Sequence, residues 1–104
     1  MSNEPTCNWG GHTFTIYSPD TNWNEVPSLY IFAAQQSESV WTALYIGQAK
    51  SFAGYLPTHR KWPESVRYGA THVHVLVVNR QEDRDRIERE LVSQYQPFLN
   101  VQLK

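Results

Sequence analysis

The stretch SLYIFAAQQSESVWTALYIG, Ser28 to Gly47, holds two runs rich in β-branched and aromatic side chains, SLYIFAA and VWTALYIG, separated by the polar QQSES. Such side chains suit a pleated, half-buried surface, and a short polar connection suits an antiparallel hairpin. Downstream, THVHVLVV (Thr71 to Val78) is the clearest strand in the chain. NRQEDRDRIERELVSQY (Asn79 to Tyr95) follows as a helix, with Asn79 as its cap, Glu82 at the capping-box position and Pro97 just beyond its end. Between hairpin and strand, Ser51 can cap a short helix that Pro57 limits, and PESVRYG has Pro63 at a plausible first position and Gly69 at a plausible stop. The order strand, strand, short helices, strand, long helix predicts an α+β domain with a central, mainly antiparallel three-stranded sheet flanked by helices.

The remaining segment, residues 1–26, is rich in Asn, Gly, Pro, Ser and Thr. Only HTFTIYS (His12 to Ser18) alternates well enough for a short edge strand, and the rest reads as loop. The domain proper is therefore placed at residues 27–104. No long apolar run offers a membrane span, and the start MSNEPTCNWGG lacks the basic and apolar regions of a secretory signal, so the expectation is a cytoplasmic protein. Cys7 is the only cysteine, which excludes an internal disulfide, and with no matching base nearby it does not read as a nucleophile.

Net charge is −1 over 104 residues, too little for gripping nucleic acid by bulk electrostatics. The charge is unevenly spread. Met1 to Leu44 carries Glu4, Asp20, Glu25 and Glu38 and no Lys or Arg, whereas Gln48 to Val78 sets Lys50, Arg60, Lys61 and Arg67 against Glu64 alone. On composition this is an ordinary solvated surface. His72 and His74, two apart on one strand, share a face; lacking a third ligand at a telling spacing, they read as sheet-surface side chains, and Trp62 as core.

In the last helix the carboxylates are not equivalent. At about 100° per residue, Ile87, Leu91, Val92 and Tyr95 form an apolar arc centred near 65° from Ile87. Glu88 lies roughly 35° from that centre and Glu90 about 125° away, so Glu88 faces the protein body and Glu90 faces water. An inward carboxylate must be paired, protonated or bound to a cation; a salt bridge to a neighbouring arginine and a cation site are both open.

Taken together, SLY (Ser28 to Tyr30), YIG (Tyr45 to Gly47), His59, Glu88 and the closing PFLN that ends in Asn100, twelve residues after Glu88, resemble the GIY-YIG endonuclease family. The resemblance covers Pro27 to Asn100. It implies an endonuclease that hydrolyses phosphodiester bonds, with DNA the expected nucleic acid and one Mg²⁺ or Mn²⁺ per site. By the same resemblance Glu88 holds the metal, Tyr30 and Tyr45 position or deprotonate the attacking water and contact the phosphate, His59 lies near the water, and Asn100 anchors the site. Magnesium suits a site of one or two carboxylates because it keeps most of its waters. A free tyrosine has a pKa of about 10, so a tyrosine base needs positive charge beside it.

The sequence departs from the family in two places. Ser28 and Leu29 replace the Gly-Ile of the first motif, leaving Tyr30 intact, and Tyr55 stands where the family has a phosphate-binding arginine. Losing such a charged fork costs a factor of about 10² to 10³ in rate. Tyr55 with Lys50, Arg60, Lys61 and Arg67 is the expected nucleic-acid face. A second expectation follows from the missing arginine: a catalytically weakened fold that acts as a nucleic-acid- or protein-binding module. Near-neutral charge and the lack of an appended DNA-binding domain favour a protein that acts on a preferred structure or through a protein partner.

Overall fold

The structure, a computed structural model, describes residues 5–19, 26–49 and 61–102. These contain strands β1 (Thr6–Trp9), β2 (His12–Tyr17), β3 (Ser28–Ser37), β4 (Val40–Ala49) and β5 (His72–Val77), and helices α1 (Trp62–Arg67), α2 (Gln81–Tyr95) and α3 (Phe98–Gln102). All strands pair antiparallel in one sheet, in the order β1-β2-β5-β3-β4. The α+β class is as expected, but the sheet has five strands instead of three.

The extra strands come from a tight turn. Gly10 and Gly11 take φ of +57° and +90°, the left-handed pair that a two-residue hairpin turn of matching twist demands. They fold β1 onto β2. The HTFTIYS strand is not an edge: it pairs with β1 on one side and, through Thr15, Ile16 and Tyr17, with β5 on the other. Trp9 and Phe14 thereby enter the core.

β3 is buried on both faces, which is why its sequence is an unbroken apolar run instead of an alternation. Leu29, Ile31 and Ala33 face Ile87 and Leu91 of α2 together with Trp9, Phe14 and Ile46. Tyr30, Phe32 and Ala34 share the opposite cluster with Trp62 of α1, Val73 and Val75. The hairpin to β4 turns on Glu38 and Ser39 alone, so Gln35, Gln36 and Ser37, expected as connection, extend the strand. Phe32 pairs with Tyr45 and Ala33 with Ala43, leaving Leu44 as a bulge, and both Leu44 and Tyr45 fall on the Trp62 side.

α1 has Pro63 in its first turn and is closed by Tyr68 ahead of Gly69 at φ +104°. In α2 the N-cap is Arg80 and makes no side-chain capping bond, a correction to the Asn79 cap and its box. The Asn79 carbonyl instead accepts from the Arg84 guanidinium, and Glu82 pairs with Arg80. The helix ends at Tyr95, and Gln96 turns left-handed before Pro97.

His74 also departs from its reading as a surface residue. It is fully buried, accepts a 2.9 Å bond at Nδ1 from the Trp9 indole N–H, and lies edge-on to Trp41 at 4.6 Å between centroids. A strand sandwiched by hairpin and helix has no solvent face there. Among the described residues, no helix is long and apolar enough to cross a membrane.

Candidate active site

β4 is an edge strand, and its YIG stretch is gripped from three directions. On the α1 side, Tyr45 is half-buried and stacks at 6.3 Å from Tyr30 and 5.8 Å from Phe32. Tyr30, opposite Gly47 in the strand register, is nearly fully buried. Burial pushes its hydroxyl well above the ordinary tyrosine value, and the neighbouring Tyr45 hydroxyl and Glu88 carboxylate push it further.

At the outer edge, Asn100 replaces a neighbouring strand. Its Oδ1 accepts from the Ile46 N–H at 2.7 Å and its Nδ2 donates to the Ile46 carbonyl at 2.8 Å. Both unpaired backbone groups of Ile46 are thus satisfied by one side chain, and α3 covers the strand edge.

On the α2 side, Gln48 points at the helix. Its Nε2 donates to Glu88 Oε1 at 2.7 Å and to Asp85 Oδ1 at 2.8 Å. Its Oε1 accepts from Gln81 Nε2 at 3.0 Å and from Arg84 Nε at 3.1 Å. Glu88 is half-buried, as its place near the apolar arc requires, whereas Glu90 is exposed beside Arg86. Among the described residues the partner of Glu88 is an amide, and no arginine makes a salt bridge to it. Gln48, Asp85, Glu88, Arg89, Val92 and Asn100 line an open cleft of about 370 Å³. The Asp85 carboxyl is held below its usual range, chiefly by the bonds from Gln48 and Gln81 and then by the charges of Arg89 and Arg84.

Glu88 and Asn100 therefore converge on one cleft, with Tyr30 and Tyr45 around the edge of the same strand on the opposite face. The two groups share no hydrogen bond among those described, yet the Glu88 charge acts on the Tyr30 hydroxyl. Lys61 is nearly buried and pairs with Glu64 at 3.4 Å, while Arg67 is exposed at the end of α1. Lys50, Tyr55, His59 and Arg60, like the expected helix from Ser51 to Pro57, lie outside the described residues.

Sequence reasoning missed Gln48, Arg84, Asp85 and Arg89. Arg84 was within reach of the periodicity: three residues before Ile87, it falls about 60° round the helix, at the centre of the apolar arc. It is 2 % exposed. Gln48 carried no signal, because an amide after a strand glycine has no preferred role.

No three His, Cys, Asp or Glu residues are grouped as a metal cage among the described residues. A magnesium site does not need one, since one or two carboxylates and several waters suffice. Glu88 Oε2 has no hydrogen-bond partner among the described residues and belongs to a cleft open to water, which fits that requirement. No protein-family model, curated protein or solved structure matches this chain.

Proposed function

We propose that the protein is a divalent-metal-dependent endonuclease of GIY-YIG type, acting on DNA with one Mg²⁺ or Mn²⁺ held by Glu88. One observation carries the reading: Glu88 and Asn100, twelve residues apart, line a single cleft against the Ile46 to Gln48 stretch of β4. Glu88 turns half-inward to this cleft, beside Ile87 and Leu91, which fill the core.

When bound, the cation would supply charge to stabilise the departing oxygen of an in-line phosphodiester displacement. Asn100 fixes the strand edge and takes no part in proton transfer, because both ends of its amide are engaged by Ile46. The Tyr30 hydroxyl, held above its ordinary value, keeps its proton at neutral pH. It is therefore a poor base, and that task falls to another group, for which the resemblance leaves Tyr45, with His59 near the water. Arg89 is the described cation lining the cleft and is the candidate to contact the phosphate.

The second reading, a binding module with little or no cleavage, draws on the tyrosine at position 55 and on the raised Tyr30 hydroxyl. The two separate in one assay: purified protein with Mg²⁺ or Mn²⁺ on single-stranded, duplex, nicked and branched DNA, with RNA alongside. The nuclease reading expects cleavage that Glu88→Gln abolishes and Glu90→Gln leaves intact. Equal effects of the two substitutions, or no cleavage of any substrate, would remove it.

A further inference from the structure

Arg84 is a buried guanidinium with no carboxylate bonded to it among the described residues. Its Nη1 donates to the carbonyls of Val78 at 2.9 Å and Asn79 at 3.0 Å, its Nη2 to Gln81 Oε1 at 2.7 Å, and its Nε to Gln48 Oε1. Every one of these acceptors is neutral. Among the described residues no ion pair reaches it. A buried charge is ordinarily paired directly, because its desolvation costs several kcal/mol. Here the compensating charges are one amide away, on Asp85 and Glu88.

That arrangement fixes the Gln48 amide in one sense. Arginine has donors only, so a flipped Gln48 would set its NH₂ against the Arg84 Nε–H and the Gln81 NH₂. The oxygen must face Arg84. Both Nε2 protons are then directed at α2, one to each carboxylate. Glu88 is held by Oε1 at 2.7 Å, and its other oxygen is left for the cleft.

We infer that Gln48, set by buried Arg84, is a positioning residue that holds the Glu88 carboxylate in the orientation that receives the divalent cation. This rests on the cation site of the proposed function. The relay runs Arg84 to Gln48 to Glu88, from the sealed core of α2, where Arg84 is buried, to the mouth of the cleft. Partners that orient a metal ligand are commonly worth a factor of 10 to 100 in metal affinity.

The test is Mn²⁺ binding to the full chain, followed by the loss of the free-ion electron paramagnetic resonance signal, with no nucleic acid present. The wild type is expected to bind one Mn²⁺ and Glu88→Gln to bind none. Gln48→Leu and Arg84→Lys should each weaken binding about 10- to 100-fold. Arg84→Lys keeps the charge and loses the fork, so a loss there reports orientation and not electrostatics. The double variant should bind no worse than the weaker single, since the two act in series. A change confined to melting temperature, with Mn²⁺ affinity unaltered in Gln48→Leu, overturns the inference and leaves the cation site standing. A wild type that binds no Mn²⁺ overturns both. Should Arg84→Lys fail to fold, the wild type decides through its side-chain amide spectrum: Mg²⁺ must shift the Gln48 Nε2 protons with the same midpoint as the Glu88-dependent binding, and a Gln48 signal indifferent to Mg²⁺ rejects the relay.

Discussion

The Tyr30 hydroxyl lies directly over Gly47: a Cβ at position 47 would stand 2.6 Å from Oη, 2.7 Å from Cζ and 3.0 Å from Cε1 of the ring. The two residues face each other across β3 and β4, and the ring is boxed by Phe32 at 5.2 Å and Tyr45 at 6.3 Å. The glycine of YIG is thus required by the tyrosine of the first motif. Gly47→Ala must displace a ring that has nowhere to go, and an overpacked core site typically costs about 1–3 kcal/mol. For a chain of this size each kcal/mol is roughly 4–8 °C in Tm. Adding Tyr30→Phe should not rescue the variant, because Cζ and Cε1 still clash, whereas adding Tyr30→Val should. Thermal melting of the three variants checks this, and a neutral Gly47→Ala would show that the ring is not confined.

The Asn100 clamp predicts a local effect larger than its global one. Asn100→Ala leaves the N–H and C=O of Ile46 without their protein partner on an edge strand. Water can satisfy both groups, so the stability loss should be modest, about 1–2 kcal/mol. Hydrogen exchange at the Ile46 amide should accelerate well beyond that of Ile31, its partner in β3. Asn100→Asp keeps the acceptor for the N–H but sets an anion against the carbonyl, and should protect the Ile46 amide while destabilising the chain. Uniform exchange across β4 in Asn100→Ala would refute the clamp.

His74 makes stability depend on pH. Burial, and then the nearby His72, push its pKa from 6.5 down to about 4. Nδ1 accepts from Trp9, so the ring proton is on Nε2, which is buried without a partner among the described residues. Because the folded value is depressed, the unfolded chain binds more protons between these values. The contribution is complete above pH 6.5 and is lost as pH falls towards 4, by an amount on the order of 3 kcal/mol. Urea unfolding should therefore show stability falling across that window. In His74→Gln, whose oxygen can still accept from Trp9, the fall between pH 6.5 and 5 should flatten. An unchanged slope in that variant would assign the dependence to other groups.

Much of this architecture is legible in the sequence because it follows from period and punctuation. The hairpin of β3 and β4, the strand β5, the ends of α1 and the C-terminal end of α2 rest on local chemistry that the fold leaves intact. What escaped is what only tertiary structure supplies. Gly10 and Gly11 were written in the sequence as plainly as any turn, but a hairpin from so polar a segment is stable only because Trp9 and Phe14 find α2 and the sheet. Asn79 is not the cap because the first helical bond, from the Arg84 N–H, closes on the Arg80 carbonyl, while the Asn79 carbonyl accepts from the Arg84 guanidinium. In the site, the inward face of Glu88 was legible from the helical angle, whereas its partner Gln48 stands 40 positions away and could not be inferred from spacing.

On the proposed nuclease reading, the cleft offers one candidate for the phosphate-binding charge that Tyr55 lacks. Arg89 lines it beside Glu88, is exposed, and enters no ion pair among the described residues, unlike Arg86, which is held by Asp83 and Glu90. Its charge already helps to lower the Asp85 carboxyl. If Arg89 carries the phosphate contact, Arg89→Ala should reduce cleavage at saturating DNA by about 10²-fold, while Arg86→Ala leaves the rate within a factor of about two. Saturation matters, because one cation fewer also weakens binding, and only a fall in kcat reports the transition state. Tyr55→Arg places a charge at the position where the resemblance expects an arginine. In the Arg89→Ala background it should recover most of the lost rate, and in the wild type it should add little, since one phosphate needs one fork. The opposite pattern, a wild type raised strongly by Tyr55→Arg and indifferent to Arg89→Ala, would show that Arg89 supplies no phosphate contact to the proposed nuclease.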